Sequence, residues 1–549
     1  MTAETPTAPM LATAPASLAD PGDPADPARQ LTFYRRFENS ALRLPGRPAL
    51  EIGDEVLTYA ELRALALTLA ERIVRKHGGV PRRVALVASR SVAAYAGYLA
   101  IQRLGAGVLP LNPDHPAQRN LDVAQRAGVE AALVGSRSAD LFRVLPERYR
   151  PTVLELDDTE RAAGTPSGEI LPPVPDDLEA EAYLLFTSGS TGQPKGVPIL
   201  QRNFSPFLAH NIPRFGIEPG SRLSGVFGLT FDAHAFDLFA TWGGGGTLVA
   251  PSAQELYRPV EFIVERELTH WFSVPSVIRE ARRLGSLPLG RAVTLRHSVF
   301  GAEPVTREHV DLWREVAPHS EIHNVYGPTE LSLCCSNHRL TGPSSSWPAY
   351  PGGTVPIGTM YPHMEGVLLG EDGLPAEQGE LCVRGPQRFD GYLDPRENAG
   401  RFCSYEEGTG PAVVYDGSEP LTDRHWYRTG DRVRREDGVL IHRGRLDQQV
   451  KLRGHRVEIG EVEAVLRRHP QVVDVAVVAV TAEDGETELA AAYAGRAVEP
   501  AAFDAWLRER MPLHMVPARI RLLDGLPLND NGKTDRIALA RILGTREGS

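Results

Sequence analysis

Cysteine is scarce: four residues, Cys334, Cys335, Cys382 and Cys403, in a chain of 549. That is too few for a disulfide framework, and no CxxC pair suggests a zinc site. They read as reduced, structural thiols. Long apolar runs are also missing. None approaches the ~18–20 residues that a membrane span needs. Basic charge is in deficit, with 70 acidic residues against 59 Lys and Arg and a net charge of −11. A dedicated nucleic-acid binder would carry a basic footprint, so that class is excluded. The first thirty residues, rich in Ala, Pro, Thr and Asp, lack the basic start and apolar core of a secretory signal. They are expected to be a disordered tail, 1–30. The expected compartment is the cytoplasm, with no membrane partner.

What is present is ordinary for a globular protein: 42% hydrophobic and 23% charged residues. The length suggests about three or four folding units. RVALVASR (83–90) reads as a strand, and 91–107 has helical spacing and a Gly stop. GVLPLN (107–112) reads as the next strand, 117–127 as a helix and VEAALVG (129–135) as a third strand. Strand, helix, strand with tight connections is a parallel α/β unit. The Pro-, Glu- and Asp-rich stretch 152–177 reads as a connecting loop. From 181 to 325 short apolar runs again alternate with helices. From 366 to 443, GVLLG, ELCVRG and VLIHRG between turn residues indicate a smaller β-rich lobe. After Arg445 the texture shifts to an amphipathic helix (458–469), strands at 472–480 and 488–495, and a helix at 501–511. The expected class is therefore α/β: a large N-terminal part of parallel α/β subdomains with a β-rich lobe, 31–446, and a small mobile α+β domain, 447–549.

The strongest chemical signal is AYLLFTSGSTGQPKGV (182–197). An apolar strand runs into Thr187, Ser188, Gly189, Ser190, Thr191 and Gly192, ending in Pro194-Lys195-Gly196. Glycines let backbone N–H groups turn toward an anion, hydroxyls add donors and Lys195 adds positive charge. The spacing is not that of the GxxxxGK[ST] loop.

This loop resembles the phosphate loop of the adenylate-forming superfamily, which contains acyl-CoA synthetases, luciferases and nonribosomal peptide synthetase adenylation domains. LTYAEL (57–62), GAGVLPLNPDHPAQR (105–119), FDAHAFDLF (231–239), NVYGPTE (324–330), GELCVRGP (379–386), YRTGD (427–431), GRLDQQVKLRGHRVEIGEVE (444–463) and NGKTDR (531–536) match in order. The resemblance implies ATP and Mg²⁺ as cosubstrates. It implies Tyr326 against adenine, Thr329 at the α-phosphate and Glu330 on Mg²⁺, whose hardness suits oxygen ligands. It implies Asp431 on the ribose hydroxyls, Arg445 on a phosphate or ribose oxygen and Lys533 as the C-terminal catalytic lysine, with Thr191 and Lys195 sharing the catalytic work. Asp447 falls at the hinge between domains and Gly454 in the segment lining a thiol tunnel.

The same resemblance assigns the acyl substrate. Asp232 follows the first Phe of FDAHAFDLF, Phe231, and in amino-acid-activating members pairs with the α-ammonium. The other pocket positions are Ala233, Phe236, Ser273, Ser298, Phe300, Val325, Leu333 and Cys334. They imply a small or medium, mainly apolar amino acid, with the serines able to admit a polar group. Only 13 residues follow Arg536, so no carrier domain is expected in the chain. The 402–426 segment resembles free-standing adenylating enzymes. The implied activity is that of a stand-alone amino acid:carrier protein ligase serving natural-product biosynthesis, with a phosphopantetheine carrier protein as partner in trans. An acyl- or aryl-CoA ligase of the same fold is the alternative, and a non-catalytic ATP- or amino-acid-binding relative is a third reading.

Overall fold

Three helices of the N-terminal part start where a hydroxyl holds the first turn. Thr32 accepts from Arg35 N at the start of helix Phe33–Arg43. Thr58 and Glu61 cap helix Tyr59–His77 reciprocally, and Gly78, at φ 85°, ends it. Ser91 accepts from Ala94 N (3.2 Å) before helix Val92–Arg103. These residues belong to a computed structural model that describes residues 30–157, 170–189, 194–350, 353–447, 449–482, 486–528 and 534–544. The expected tail, apart from Gln30, lies outside them.

Contacts divide the described residues into two compact units. The first draws on Met1–Asn112, Ala127–Leu185 and Gly196–Leu446, and the second on Pro113–Arg126, Phe186–Lys195 and Asp447–Ser549. The first unit is built on three sheets. Strand Arg83–Val87 pairs in parallel with both Gly107–Leu111 and Ala131–Gly135. One expectation fails beside them: Thr152–Leu156, inside the stretch read as a loop, is a strand pairing in parallel with Ala131–Gly135. The Pro- and acid-rich composition of the whole stretch hid a five-residue TVLEL run that completes an open sheet edge.

A nine-stranded sheet carries the middle of the chain. Strands His270–Ser273, His297–Phe300 and Glu321–Tyr326 are parallel neighbours, and Ser336–Leu340 turns back antiparallel to the last. Their C-terminal ends deliver side chains to one edge of the sheet, where open α/β sheets build their sites. The expected β-rich lobe is an antiparallel sheet containing Glu365–Leu369, Gln378–Arg384, Trp426–Glu436 and Val439–Arg445. Under the sheets, Phe33 stacks on Phe239 at 4.0 Å, and Trp242 Nε1 donates to Ala49 O (2.9 Å).

In the second unit, strands Val472–Thr481, Thr487–Gly495 and Arg519–Leu522 form a three-stranded sheet, with helices Ile459–Leu466, Pro500–Arg508 and Arg536–Gly544. Strands Gln449–Leu452 and His455–Glu458 form a hairpin. Its two-residue turn, Arg453-Gly454, has positive φ at both positions (49° and 81°), the geometry that suits strand twist. Among the described residues no helix is long and apolar enough to cross a membrane.

Replacing Thr58 by Ala removes the cap of helix Tyr59–His77 and is expected to cost about 1 kcal/mol. Urea denaturation followed by circular dichroism measures it; an unchanged midpoint would remove the reciprocal cap from the account.

Candidate functional site

Strand Glu321–Tyr326 ends in Tyr326, and the chain then turns sharply through Gly327-Pro328-Thr329-Glu330. A Cβ on Gly327 would sit 2.5 Å from Leu333 O and 2.7 Å from Cys334 Cα. Only glycine lets the YGPTE turn lie against the following loop. That loop is strained: Ser332 and Leu333 both have positive φ, 54° and 84°. Such backbone in non-glycine residues persists where its surroundings over-determine it. Here Ser332 Oγ donates to Gln387 O (2.8 Å), while Gln387 Nε2 donates to Leu331 O and Cys334 O (3.0 and 2.7 Å).

The turn's side chains are individually held. Tyr326 OH donates to Asp431 Oδ2 (2.6 Å). Arg445 Nη1 donates to Asp431 Oδ1 (2.8 Å) and Nη2 to Thr429 O (3.1 Å). His442 Nε2 lies 3.0 Å from the same Oδ1. The Tyr326 hydroxyl is pushed well up, by burial first and then by the Asp431 charge. Tyr326 therefore stays a donor, and Asp431 is the charge around which the group assembles. Glu330 is fully buried, and Tyr392 OH donates to its Oε1 (2.8 Å). Thr329 Oγ1 donates to Asp232 Oδ2 (2.6 Å).

Asp232 directly precedes helix Ala233–Gly244 and is 8% exposed. The loop before it is braced from below. His234 is fully buried, with Nε2 3.0 Å from Tyr98 OH and Nδ1 against Phe231 O. Burial lowers His234 to about 4, so its ring is neutral. Phe231 stacks on Phe227 at 5.4 Å.

The structure divides the acyl-pocket candidates. Phe236, Val325, Leu333 and Cys334 belong to one buried cluster together with Tyr326, and Ala233 joins them there. Phe236 is walled by Phe207, Phe215 and Phe272, at 5.6, 6.0 and 5.6 Å. Ser273, Ser298 and Phe300 point elsewhere. Ser298 Oγ accepts from Trp313 Nε1 (2.8 Å) and lies 2.7 Å from Ser320 Oγ. Phe300 packs edge-on against Trp313, and Ser273 Oγ accepts from Trp271 Nε1 (2.8 Å). Successive strand residues alternate faces, so Phe272 and Val299, one residue away, join the Phe236 cluster instead.

The second unit holds the remaining candidates. Thr187 ends strand Glu181–Thr187. Ser188 Oγ donates to Arg456 O (2.9 Å) and accepts from Glu458 N (3.0 Å), tying the start of the hydroxyl-rich loop to the hairpin that carries Gly454. Gly189 and Lys195 are buried. Asp447 opens the unit's last segment, and its Oδ1 accepts from Gln449 N (3.2 Å). Ser190, Thr191, Gly192 and Lys533 lie outside the described residues.

Sequence reasoning missed Tyr392, His442 and Gln387. His442 was visible only as one letter of a strand, VLIHRG, and its alternation with Ile441 was the available signal. Tyr392 and Gln387 sit in loops with no periodicity, and nothing local marks them.

Comparison with known proteins adds to this geometry. The family model described as AMP-binding enzyme matches residues 37–393, and the model of its C-terminal domain matches 461–533. Phosphinothricin tripeptide synthetase PhsC of Streptomyces viridochromogenes is 34% identical over 527 residues, which cover 94% of this chain and 45% of that one. The chain thus spans less than half of the first curated relatives it matches. The L-proline–[L-prolyl-carrier protein] ligase of Pseudomonas fluorescens is 30% identical over 93% of this chain and 99% of its own. The adenylation domain AlmE of Vibrio cholerae, solved with glycyl-adenosine-5'-phosphate, superposes with a TM-score of 0.76. It is 25% identical and covers 93% of this chain and 97% of that one.

Gly327→Ala drives a methyl group into backbone. A loss on the order of 1–3 kcal/mol is expected, the scale on which inserted methyl groups strain packed sites. Thermal unfolding checks this; wild-type stability would mean that the Ser332–Cys334 loop yields freely.

Proposed function

Because the chain belongs to the AMP-binding enzyme family, we propose that it activates a small-to-medium amino acid with Mg·ATP and passes it to the phosphopantetheine thiol of a separate carrier protein. The observation that carries this reading is the buried Asp232 carboxylate, hydrogen-bonded to Thr329 of the YGPTE turn. A carboxylate beside the α-phosphate position suits a substrate bearing an ammonium next to its carboxylate. A buried ammonium without such a partner costs several kcal/mol. The carrier-protein ligase relative and the glycyl-adenylate-bound neighbour support the same substrate class. Phe236 boxed by three Phe rings supports a modest side chain.

The chemistry runs in two steps. The amino-acid carboxylate oxygen attacks the α-phosphorus, forming the C–O–P anhydride and expelling pyrophosphate. Tyr326 flanks adenine and Asp431 accepts the ribose hydroxyls. His442 and Arg445 orient that carboxylate. Glu330 would hold the Mg²⁺ that accompanies ATP through one carboxylate oxygen, where the ion would supply charge neutralisation to the phosphates, while Tyr392 holds the other oxygen by its hydroxyl. Lys195, the hydroxyls of Thr187, Ser190 and Thr191 and Lys533 neutralise charge at phosphorus, which is positioning and electrostatics rather than covalent enzyme chemistry. The Ser188 hydroxyl, expected to join them, is instead engaged by Arg456 O and Glu458 N. The small domain then turns about Asp447 and brings the Gly454 hairpin to the thiol's path. The thiolate attacks the acyl carbon, forming the thioester and releasing AMP.

ATP–pyrophosphate exchange on amino acids and their desamino analogues tests the reading. Asp232→Asn leaves an ammonium buried and unpaired, so kcat/KM for the amino acid is expected to fall ~10²–10³-fold, from ~3–5 kcal/mol. The desamino analogue is expected to lose far less. If the wild type prefers the desamino acid, or both substrates suffer alike, an acyl- or aryl-CoA ligase replaces this assignment.

Lys533→Ala is expected to slow adenylation ~10²–10³-fold while sparing thioester formation from supplied aminoacyl-adenylate. Equal loss in both half-reactions, measured by quenched flow, would contradict a lysine that serves only the first.

A further inference from the structure

Toward the N-terminal ends of the central parallel strands, three ligand atoms converge that the chemistry above does not use. His297 and Glu321 begin adjacent parallel strands and stand in register. His323, two residues beyond Glu321, faces the same side. His297 Nδ1 lies 3.8 Å and His323 Nε2 lies 3.7 Å from Glu321 Oε2. All three donor atoms fall within 4.8 Å of one another.

These distances exceed hydrogen-bond reach. His297 Nδ1 and both ring nitrogens of His323 are buried and have no hydrogen-bond partner among the described residues, although the His323 side chain is only 4% exposed. Buried ring nitrogens are normally satisfied. Other neighbours are already engaged. Arg339 Nη2 takes Glu321 Oε1 (2.6 Å), which leaves Oε2 to face the rings. His270 stacks on His297 at 5.3 Å, but its own nitrogens lie 2.7 Å from Phe215 O and 2.8 Å from Thr269 Oγ1. It is a wall, not a ligand. Phe215 closes a further side, edge-on to both rings at 5.7 and 5.2 Å. Burial lowers His323 against the opposing pull of the nearby Glu321 carboxylate, with the Arg214 and Arg339 charges adding to the lowering, and burial lowers His297 to about 4. Neutral imidazole is the form that binds metal.

We propose that His297 Nδ1, Glu321 Oε2 and His323 Nε2 bind one divalent transition-metal ion of the zinc class, clipping strand His297–Phe300 to strand Glu321–Tyr326. A tetrahedral ion bound at about 2.0–2.1 Å holds its donors about 3.4 Å apart. Closing the site therefore asks for a few tenths of an ångström between each ring and the carboxylate, and for an approach of up to about 1.4 Å between the two ring nitrogens, which lie within 4.8 Å of each other. Two imidazoles and one carboxylate suit zinc, cobalt or nickel rather than calcium or magnesium. The Glu321 side chain is 40% exposed, so water completes the fourth position. The clip sits on the strand that ends in Val325 and Tyr326, within the same unit as the YGPTE turn.

The test uses the full chain, untagged and stripped with a chelator, titrated with CoCl₂ and then ZnCl₂. One equivalent of Co²⁺ is expected to give the visible bands of a four-coordinate ion, displaced by Zn²⁺, with a raised thermal midpoint. His323→Ala, His297→Gln and Glu321→Gln are each expected to weaken binding by more than about a hundredfold, beyond what loss of an outer partner does. His297 and Glu321 lie nearer the surface, so their variants keep the test valid if His323→Ala fails to fold. Absence of stoichiometric Co²⁺ binding, or undiminished binding by the His297 and Glu321 variants, overturns the proposal.

Discussion

Asp431 is a carboxylate at 5% exposure, and three polar side chains from two different sheets converge on it. Tyr326 comes from the nine-stranded sheet, and His442 and Arg445 come from the antiparallel lobe. The buried charge thus spans two layers of the first unit. Removing one partner would leave the rest exposed to a desolvation cost that exceeds most surface interactions in the molecule. Hence the lobe cannot drift from the central sheet without loosening Tyr326. The same knot that orders the lobe orders one wall of the nucleotide position.

The YGPTE turn spreads that order toward the acyl side. Thr329 reaches Asp232, Glu330 reaches Tyr392, and Gly327 lets the strained Ser332–Leu333 backbone lie directly beneath. Gln387 holds that backbone from the other lobe through two carbonyls. Strain at a ligand-facing loop, stabilised by packing elsewhere, keeps Leu333 and Cys334 pre-set rather than mobile. The acyl side is therefore shaped by aromatic walls that barely give, Phe207, Phe215, Phe236 and Phe272, and by a loop with little freedom.

Motif residues were legible because chemistry restricts residue type: a turn needs Gly327, an anion site needs hydroxyls and glycine, and a ribose partner needs a carboxylate. Helix and strand positions were legible where periodicity was strong. The helix read at 117–127 is observed as Ala117–Ala127, and the strand read at 472–480 as Val472–Thr481. The strand Thr152–Leu156 was not legible, because edge pairing rather than composition decided it.

The sequence by itself determined most of the order of elements, the family and the motif residues Tyr326, Thr329, Glu330, Asp232 and Asp431. Local backbone rules and side-chain chemistry act within a few residues, and they leave their mark as spacing. Only the tertiary structure decided which face each strand residue presents. It turned Ser298 and Phe300 to Trp313 and Phe272 to Phe236, and brought His297, Glu321 and His323 together. It also supplied Tyr392, His442 and Gln387 to groups far away in the chain. Register and long-range contacts depend on how sheets stack. A one-residue difference in phase reverses a face while leaving the apolar pattern almost unchanged.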